Sequence, residues 1–289
     1  MGRPVKAMRR IIYNISTIVF AQIIFNACTH AQNTNSTIPP APSEKVATTA
    51  ETTDTVPFGA RCLIGCYPDH IKGYKNNQLT LSDGSIMTYD DGKRKTHIEK
   101  MDYADIEDMF SQAYDTSVWL PQKDYDPGRI RNEALFKYMY GSNKQEVLNQ
   151  LVKVDWFGQK LLFTSINGAA DSLKAVAKDL AATLPPTYRK YFSQSSTFNW
   201  RTVRGSKRLS AHSYGMTIDI CTKYSDFWRW SNPGKEEEDD IRYINRIPHE
   251  IIRIFEKHGF VSGARWYHYD TMHFEYRPDL LRFSQHKKN

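Results

Sequence analysis

Apolar residues recur at helical spacing from 169 to 184, with Leu173, Val176, Ala177 and Leu180 on one side, and Pro185-Pro186 closes the run. The pattern predicts an amphipathic helix, preceded by a strand over 160–166. Further helices are expected over 103–114, 129–140 and 144–151, the last with Ser142 as N-cap. Leu79-Thr80-Leu81 and Ile86-Met87-Thr88-Tyr89 are set off by the turn signals Asp83-Gly84 and Asp91-Gly92, as in a short hairpin or meander. Downstream, strands are expected over 196–201, 215–221 and 272–277, with a helix over 250–258 that stops at Gly259. Hairpins and helices are grouped and do not alternate strictly, which argues for an α+β fold.

The first 57 residues do not share this patterning. Arg3, Lys6, Arg9 and Arg10 precede a mostly apolar run over 11–27 that Asn14, Ser16, Gln22 and Asn26 interrupt. That is the make-up of an export signal over 1–27, and it is too polar for a permanent membrane helix. Cys28 follows Phe25-Asn26-Ala27 and reads as the lipidated first residue of a degenerate lipoprotein signal. Ordinary cleavage after Ala31 and an uncleaved anchor are the alternatives. Residues 28–57 are rich in Thr, Ser, Pro and Ala, too poor in large apolar groups to offset the entropy of ordering, and read as a tether. The expectation is an exported protein of the bacterial envelope, periplasmic and lipid-anchored to the membrane. An N-terminal helical and hairpin region over 58–150 is then expected to pack on a second region over 151–283.

Charge changes the picture once the leader is set aside. The formal charge is +7, but removing the four basic leader residues from the 39 Lys and Arg leaves 35 against 32 acidic residues, a balance of +3. No Lys/Arg block remains to track phosphates, so nucleic acid is not an expected partner. Cys62 and Cys66 are close enough for a small local disulfide in an oxidising compartment, and no second Cys pair exists to complete a metal site with them. Cys221 reads as a small buried residue.

Candidate chemistry sits in two clusters. In Ser210-Ala211-His212-Ser213-Tyr214-Gly215-Met216-Thr217-Ile218-Asp219, His212 enters a strand on which Thr217, Asp219 and Cys221 share one face and Met216, Ile218 and Ile220 face the core. In the second, 266–276, His273 and Glu275 alternate with Phe274 and Tyr276, and Asp270 lies on the preceding turn. Two His and a carboxylate are an accepted ligand set for a catalytic zinc. A lone strand His is more often a core or surface residue, whereas a carboxylate among apolar neighbours needs a partner, so Asp219 is the better clue. His249-Glu250-Ile251-Ile252 begins like a helical zinc motif but ends in Arg253, and His249, His258 and His268 read as surface or helix-end residues.

Together the clusters resemble the VanY-type D-Ala-D-Ala carboxypeptidase family, which also includes L-alanyl-D-glutamate endopeptidases. Its S-x-H-x-x-G-x-A-x-D signature is met by Ser210, His212, Gly215 and Asp219, and its [DE]-x-x-H by Asp270 and His273. Thr217 stands where the family has Ala, and Ser262 and Ala264 fall where relatives read Trp-Gly-Gly. The resemblance implies a compact domain with a small antiparallel sheet flanked by helices, and one zinc per chain on His212, Asp219 and His273. It also implies Asp270 as general base, a substrate arginine at Arg201 or Arg204, and peptidoglycan stem peptides as substrate. Ser210 would orient substrate or brace its loop, and Glu275 would steady a ligand His from outside the metal shell. The rival from another class is a non-catalytic, zinc-containing envelope binding module.

Overall fold

The computed structural model describes residues 55–286. The expected signal, Cys28 and the tether as far as residue 54 lie outside the described residues. Within them the fold is α+β, built of helices and three small antiparallel sheets.

α1 (Phe58–Cys66) leads into a meander of β1 (Ile71–Lys75), β2 (Gln78–Leu81) and β3 (Ile86–Thr88). α2 (His97–Tyr103) starts at a capping box in which the Thr96 hydroxyl accepts from Glu99 N while the Glu99 carboxylate accepts from Thr96 N. α3 (Glu133–Tyr140) and α4 (Lys144–Gln150) follow, capped by Asn132 and Asn143, so Ser142 is not the cap; its N–H donates to Glu146 instead. β4 (Leu151–Trp156) and β5 (Gln159–Thr164) form a hairpin, and α5 (Ala169–Thr183) buries Leu173, Val176 and Leu180 as its periodicity requires. After an irregular stretch come β6 (Thr217–Asp219), the single turn α6 (Trp228–Ser231), α7 (His249–Lys257), β7 (Phe260–Ser262), β8 (His273–Tyr276) and α8 (Pro278–His286).

β6, β8 and β7 make the sheet that matters for the site, in the order β6-β8-β7. It lies between two apolar cores. Ile218, Phe260 and Phe274 join α5, α7 and the β4-β5 hairpin, where Phe255 stacks on Phe274 with ring centroids 3.8 Å apart. Met216 and Val261 join the core made with α1, the meander, α3 and α8. Met216 therefore faces away from Ile218 and Ile220, against the sequence expectation. The strand is only three residues long and its flanks leave the pleat. The stretch 196–201 is likewise not a strand: its only ladder contact is the isolated bridge of Ser196 to Asp219. The helix expected over 103–114 is instead α2 followed by a 3-10 turn, Glu107–Phe110.

Cys62 and Cys66 are not bridged. They stand one turn apart on α1, where burial pushes their thiols up to about 12 and about 11. Among the described residues no helix is long and apolar enough to cross a membrane.

Candidate metal centre and active site

Antiparallel pairing brings the two sequence clusters together. Asp219 of β6 pairs with His273 of β8, and Thr217 with Glu275, so all four side chains lie on one face. His212 arrives on a 3-10 turn, Ala211–Tyr214, that Ser210 caps: the Ser210 hydroxyl accepts from His212 N at 3.4 Å. Gly215 closes that turn at φ 66°, and a Cβ there would also meet Leu151 at 2.4 Å. The glycine of the motif is thus favoured by its left-handed conformation, and any larger residue would also have to displace the Leu151 side chain.

The resulting cluster is tight. His212 Nε2 stands 3.1 Å from Asp219 Oδ2, and His273 Nδ1 stands 3.0 Å from Asp219 Oδ1. The opposite nitrogens are held from outside. His212 Nδ1 is 2.5 Å from the Thr197 carbonyl oxygen, and His273 Nε2 is 3.6 Å from Glu275 Oε2. That pattern leaves His212 Nε2, Asp219 and His273 Nδ1 converging on one point, with the rings oriented by outer partners as in metal-ligating histidines. The three residues offer ligand atoms within 4.8 Å of one another. Ligands about 2.0–2.2 Å from a tetrahedral ion stand roughly 3.3–3.5 Å apart, so a modest expansion of this cluster accepts a cation. His212 Nε2 is buried, and its 3.1 Å approach to Asp219 Oδ2 is an ion-pair contact without good hydrogen-bond alignment, which suits a nitrogen facing a shared ligand point.

Electrostatics separates the carboxylates. Burial alone would raise Asp219, but the charges and hydrogen bonds of His212 and His273 hold it well below the ordinary range. Asp270 goes the other way, pushed up to about 6 by burial and then by the negative charge of Asp219. Its Oδ1 is buried and unpartnered. Burial would lower His273, yet Asp219 and Glu275 bring it up to about 10, so a cation bound there would compete with a proton on the ring. Glu275, although buried, is held at about 2 by Arg131, His273 and Arg277.

Residues 204–276 match the D-alanyl-D-alanine carboxypeptidase family model. The match agrees with the resemblance drawn from the two motifs, and it spans His212, Asp219, Asp270 and His273. Peptidases of this family are typically metal-dependent, and the cluster fits that chemistry. Neither the curated proteins nor the solved structures yielded a match to the chain.

A cavity of about 400 Å³ opens beside the cluster, with His212, Asp219, Asp270 and His273 in its wall. Arg201, Arg204 and Ser210 also line it, so neither arginine is set apart by position; both are exposed. His249 is exposed and stacks on Trp119, and His258 at the end of α7 bonds Asp179 Oδ2 at 2.8 Å. His268 does not fit the surface reading. It is buried, with its Nδ1 2.6 Å from Asp126 Oδ2, while its backbone N donates to Asp126 Oδ1 at 2.9 Å. Arg129 and His97 approach the same carboxylate at 2.9 and 3.4 Å.

Asp126, Arg131, Gly263 and the Thr197 carbonyl are parts of the site that motif reasoning missed. Gly263 is needed for a close approach: a Cβ there would lie 2.3 Å from the Asp270 carbonyl oxygen, and Asp270 N donates to Gly263 O at 3.1 Å.

Proposed function

We propose that the chain is a zinc peptidase that hydrolyses peptidoglycan stem peptides, as a D-Ala-D-Ala carboxypeptidase or an L-Ala-D-Glu-type endopeptidase. The observation that carries the reading is the convergence of His212, Asp219 and His273 on one point, with a proton-competent Asp270 in the same cavity wall. Two His and one carboxylate leave a fourth position open, the hallmark of a catalytic rather than a structural zinc. One zinc per chain is expected.

Held by His212, Asp219 and His273, zinc would supply Lewis acidity for a water and for the scissile carbonyl. Asp270 takes the proton of the attacking water and returns it to the leaving amine. Burial, the first cause of its upward shift, brings this carboxyl toward the range in which it can both take and return a proton. Arg201, or Arg204 beside it, adds positive charge for the carbonyl oxygen as it turns anionic. Glu275 and the Thr197 carbonyl keep the ligand rings in register. Ser210 acts through its loop, as the cap of the turn that carries His212. The buried and unpartnered oxygen of Asp270 favours this enzyme reading over a recognition module, which has no use for a base. The substrate sets the compartment: the reading includes export to the envelope and a lipid anchor at Cys28.

Purified muropeptides incubated with the full-length protein test the proposal. Release of D-Ala or of a split stem peptide is expected, abolished by a chelator and restored by zinc. Cleavage unaffected by chelation, or no cleavage of any stem peptide, overturns it.

A further inference from the structure

The cavity wall carries several arginines, and they are not equivalent. Arg129 is paired with Asp126 and Glu237, and Arg131 donates to Glu275 at 3.2 Å. Arg208 has no carboxylate within hydrogen-bond distance. Its side chain is only 12% exposed, and its Nε is buried without a hydrogen bond. Nη1 donates to the Arg129 carbonyl at 3.1 Å, and Nη2 reaches no more than the Met101 sulfur at 4.0 Å. Asp102 Oδ1 stands 3.8 Å from Nε, beyond hydrogen-bond reach, on a half-exposed side chain that Ser206 already engages.

A buried guanidinium is expensive when its donors are unmet, and more so beside like charges. Burial, then the neighbouring charges of Arg131 and Arg129, bring Arg208 down to about 9, far below the value at which this group ordinarily gives up its proton. An arrangement so unfavourable is relieved by an anion. The cavity is the route by which one arrives, since Arg208 shares its wall with Asp270 and the His212–Asp219–His273 cluster.

We propose that Arg208 receives a carboxylate of the peptide substrate and thereby selects which acidic group lies beside the metal centre. The guanidinium fork matches a planar carboxylate, and binding replaces repulsion among three arginines with a charge-assisted hydrogen bond. The inference rests on reading the cavity as a peptidase cleft and adds the chemical class of group that the cleft selects. Two carboxylates of a stem peptide have this chemistry: the terminal one of D-Ala-D-Ala, and the free one on the internal glutamate.

The test uses full-length protein and three peptides: the free acid, the C-terminal amide, and a peptide amidated at the internal glutamate. The parent should prefer the free acid over one of the amides by roughly 10–100-fold in kcat/KM, which names the carboxylate. Arg208→Gln should lose that factor on the acid but keep the parent's rate on the discriminated amide. That retained rate also shows that the variant folds, and Arg208→Lys should restore part of the preference. An equal loss on all three peptides would mean a structural role for Arg208, and an unchanged preference would mean no role; either overturns the proposal. If the parent cleaves none of the peptides, the peptidase reading has failed and binding decides the inference alone. Trp228, Trp230 and Trp266 line the cavity, so their fluorescence can be titrated with N-acetyl-D-alanyl-D-alanine, its amide, and an N-acetyl glutamyl peptide. Response to a free acid that Arg208→Gln abolishes supports the inference, and equal response of parent and variant overturns it.

Discussion

Asp219 and Asp270 sit in one cavity wall, and their surroundings drive them in opposite directions. Two imidazoles draw Asp219 down, whereas burial and Asp219 itself push Asp270 up to about 6. Environments that separate two carboxylates in this way assign them different work. Asp270→Asn keeps the shape but cannot accept a proton, so zinc content should survive while turnover falls by about 10²–10⁴-fold. Asp219→Asn removes a ligand charge and should weaken zinc binding itself by more than about 100-fold, beyond the usual effect of losing an outer partner. Metal analysis and muropeptide hydrolysis on both variants check the contrast; an Asp270→Asn protein as fast as its parent sinks the base assignment. That His212, Asp219, His273 and Asp270 would come together was legible because side-chain spacing carried it. The Thr197 carbonyl was not, since any residue type supplies the same backbone oxygen. Asp126 was hidden for another reason: it lies 142 positions from His268, and no local pattern marks such a pair.

At the scale of elements, the loop that carries Asp270 is held from two sides. Asp126 grips His268 through both backbone and ring, and Gly263 lets the chain pass close under Asp270. Burial would raise Asp126, but Arg129 and His268 hold it well below the ordinary range. Its contribution to stability is therefore complete above the unfolded value, about 3.9, and is lost as pH falls below it. Asp126→Ala leaves buried charges unmatched and should cost about 3–5 kcal/mol, seen as a melting temperature lower by roughly 6–20 °C. A melting curve within 2 °C of the parent, at about 0.5–1 kcal/mol, would show the clamp to be idle. Gly263→Ala should act on catalysis more than on metal, because its Cβ displaces the Asp270 backbone. A loss on the order of 10²-fold in kcat with zinc retained is expected, and an unaltered kcat refutes the close-approach argument. Among the elements, α5 and α7 were readable from one-sided periodicity. α1 and β4 escaped prediction. Helix α1 buries Gly59, Ala60, Cys62 and Leu63 with no clean apolar stripe, and β4 carries Lys153 and Asp155 on its outward face.

For the whole molecule, the sheet bearing the His212–Asp219–His273 cluster is clasped between two cores, so an ion held there would be thermodynamically linked to the fold. Export is a separate question at this scale: Cys28→Ser should move the protein from the membrane fraction to the soluble envelope fraction, and an unchanged distribution refutes the proposed lipid anchor. The linkage can be tested on purified protein without any substrate. Zinc that binds the native chain and not the unfolded one stabilises it by about 2.7 kcal/mol at a free concentration 100 times its dissociation constant. For a folded unit of this size that is a rise in melting temperature of roughly 5–11 °C, reversed by a chelator. His212→Ala removes one ligand nitrogen from a turn that Ser210 still caps, so the variant should fold yet lose most of the zinc-dependent rise. The second group with metal-ligating residue types, His97, Asp126 and His268, supplies the internal control. Arg129 lies 2.9 Å from its carboxylate and already supplies the positive charge a cation would bring. His97→Ala should therefore keep the full zinc-dependent rise. If His97→Ala abolishes the rise and His212→Ala leaves it intact, the ion belongs to the second group, and the proposed active site has lost its metal.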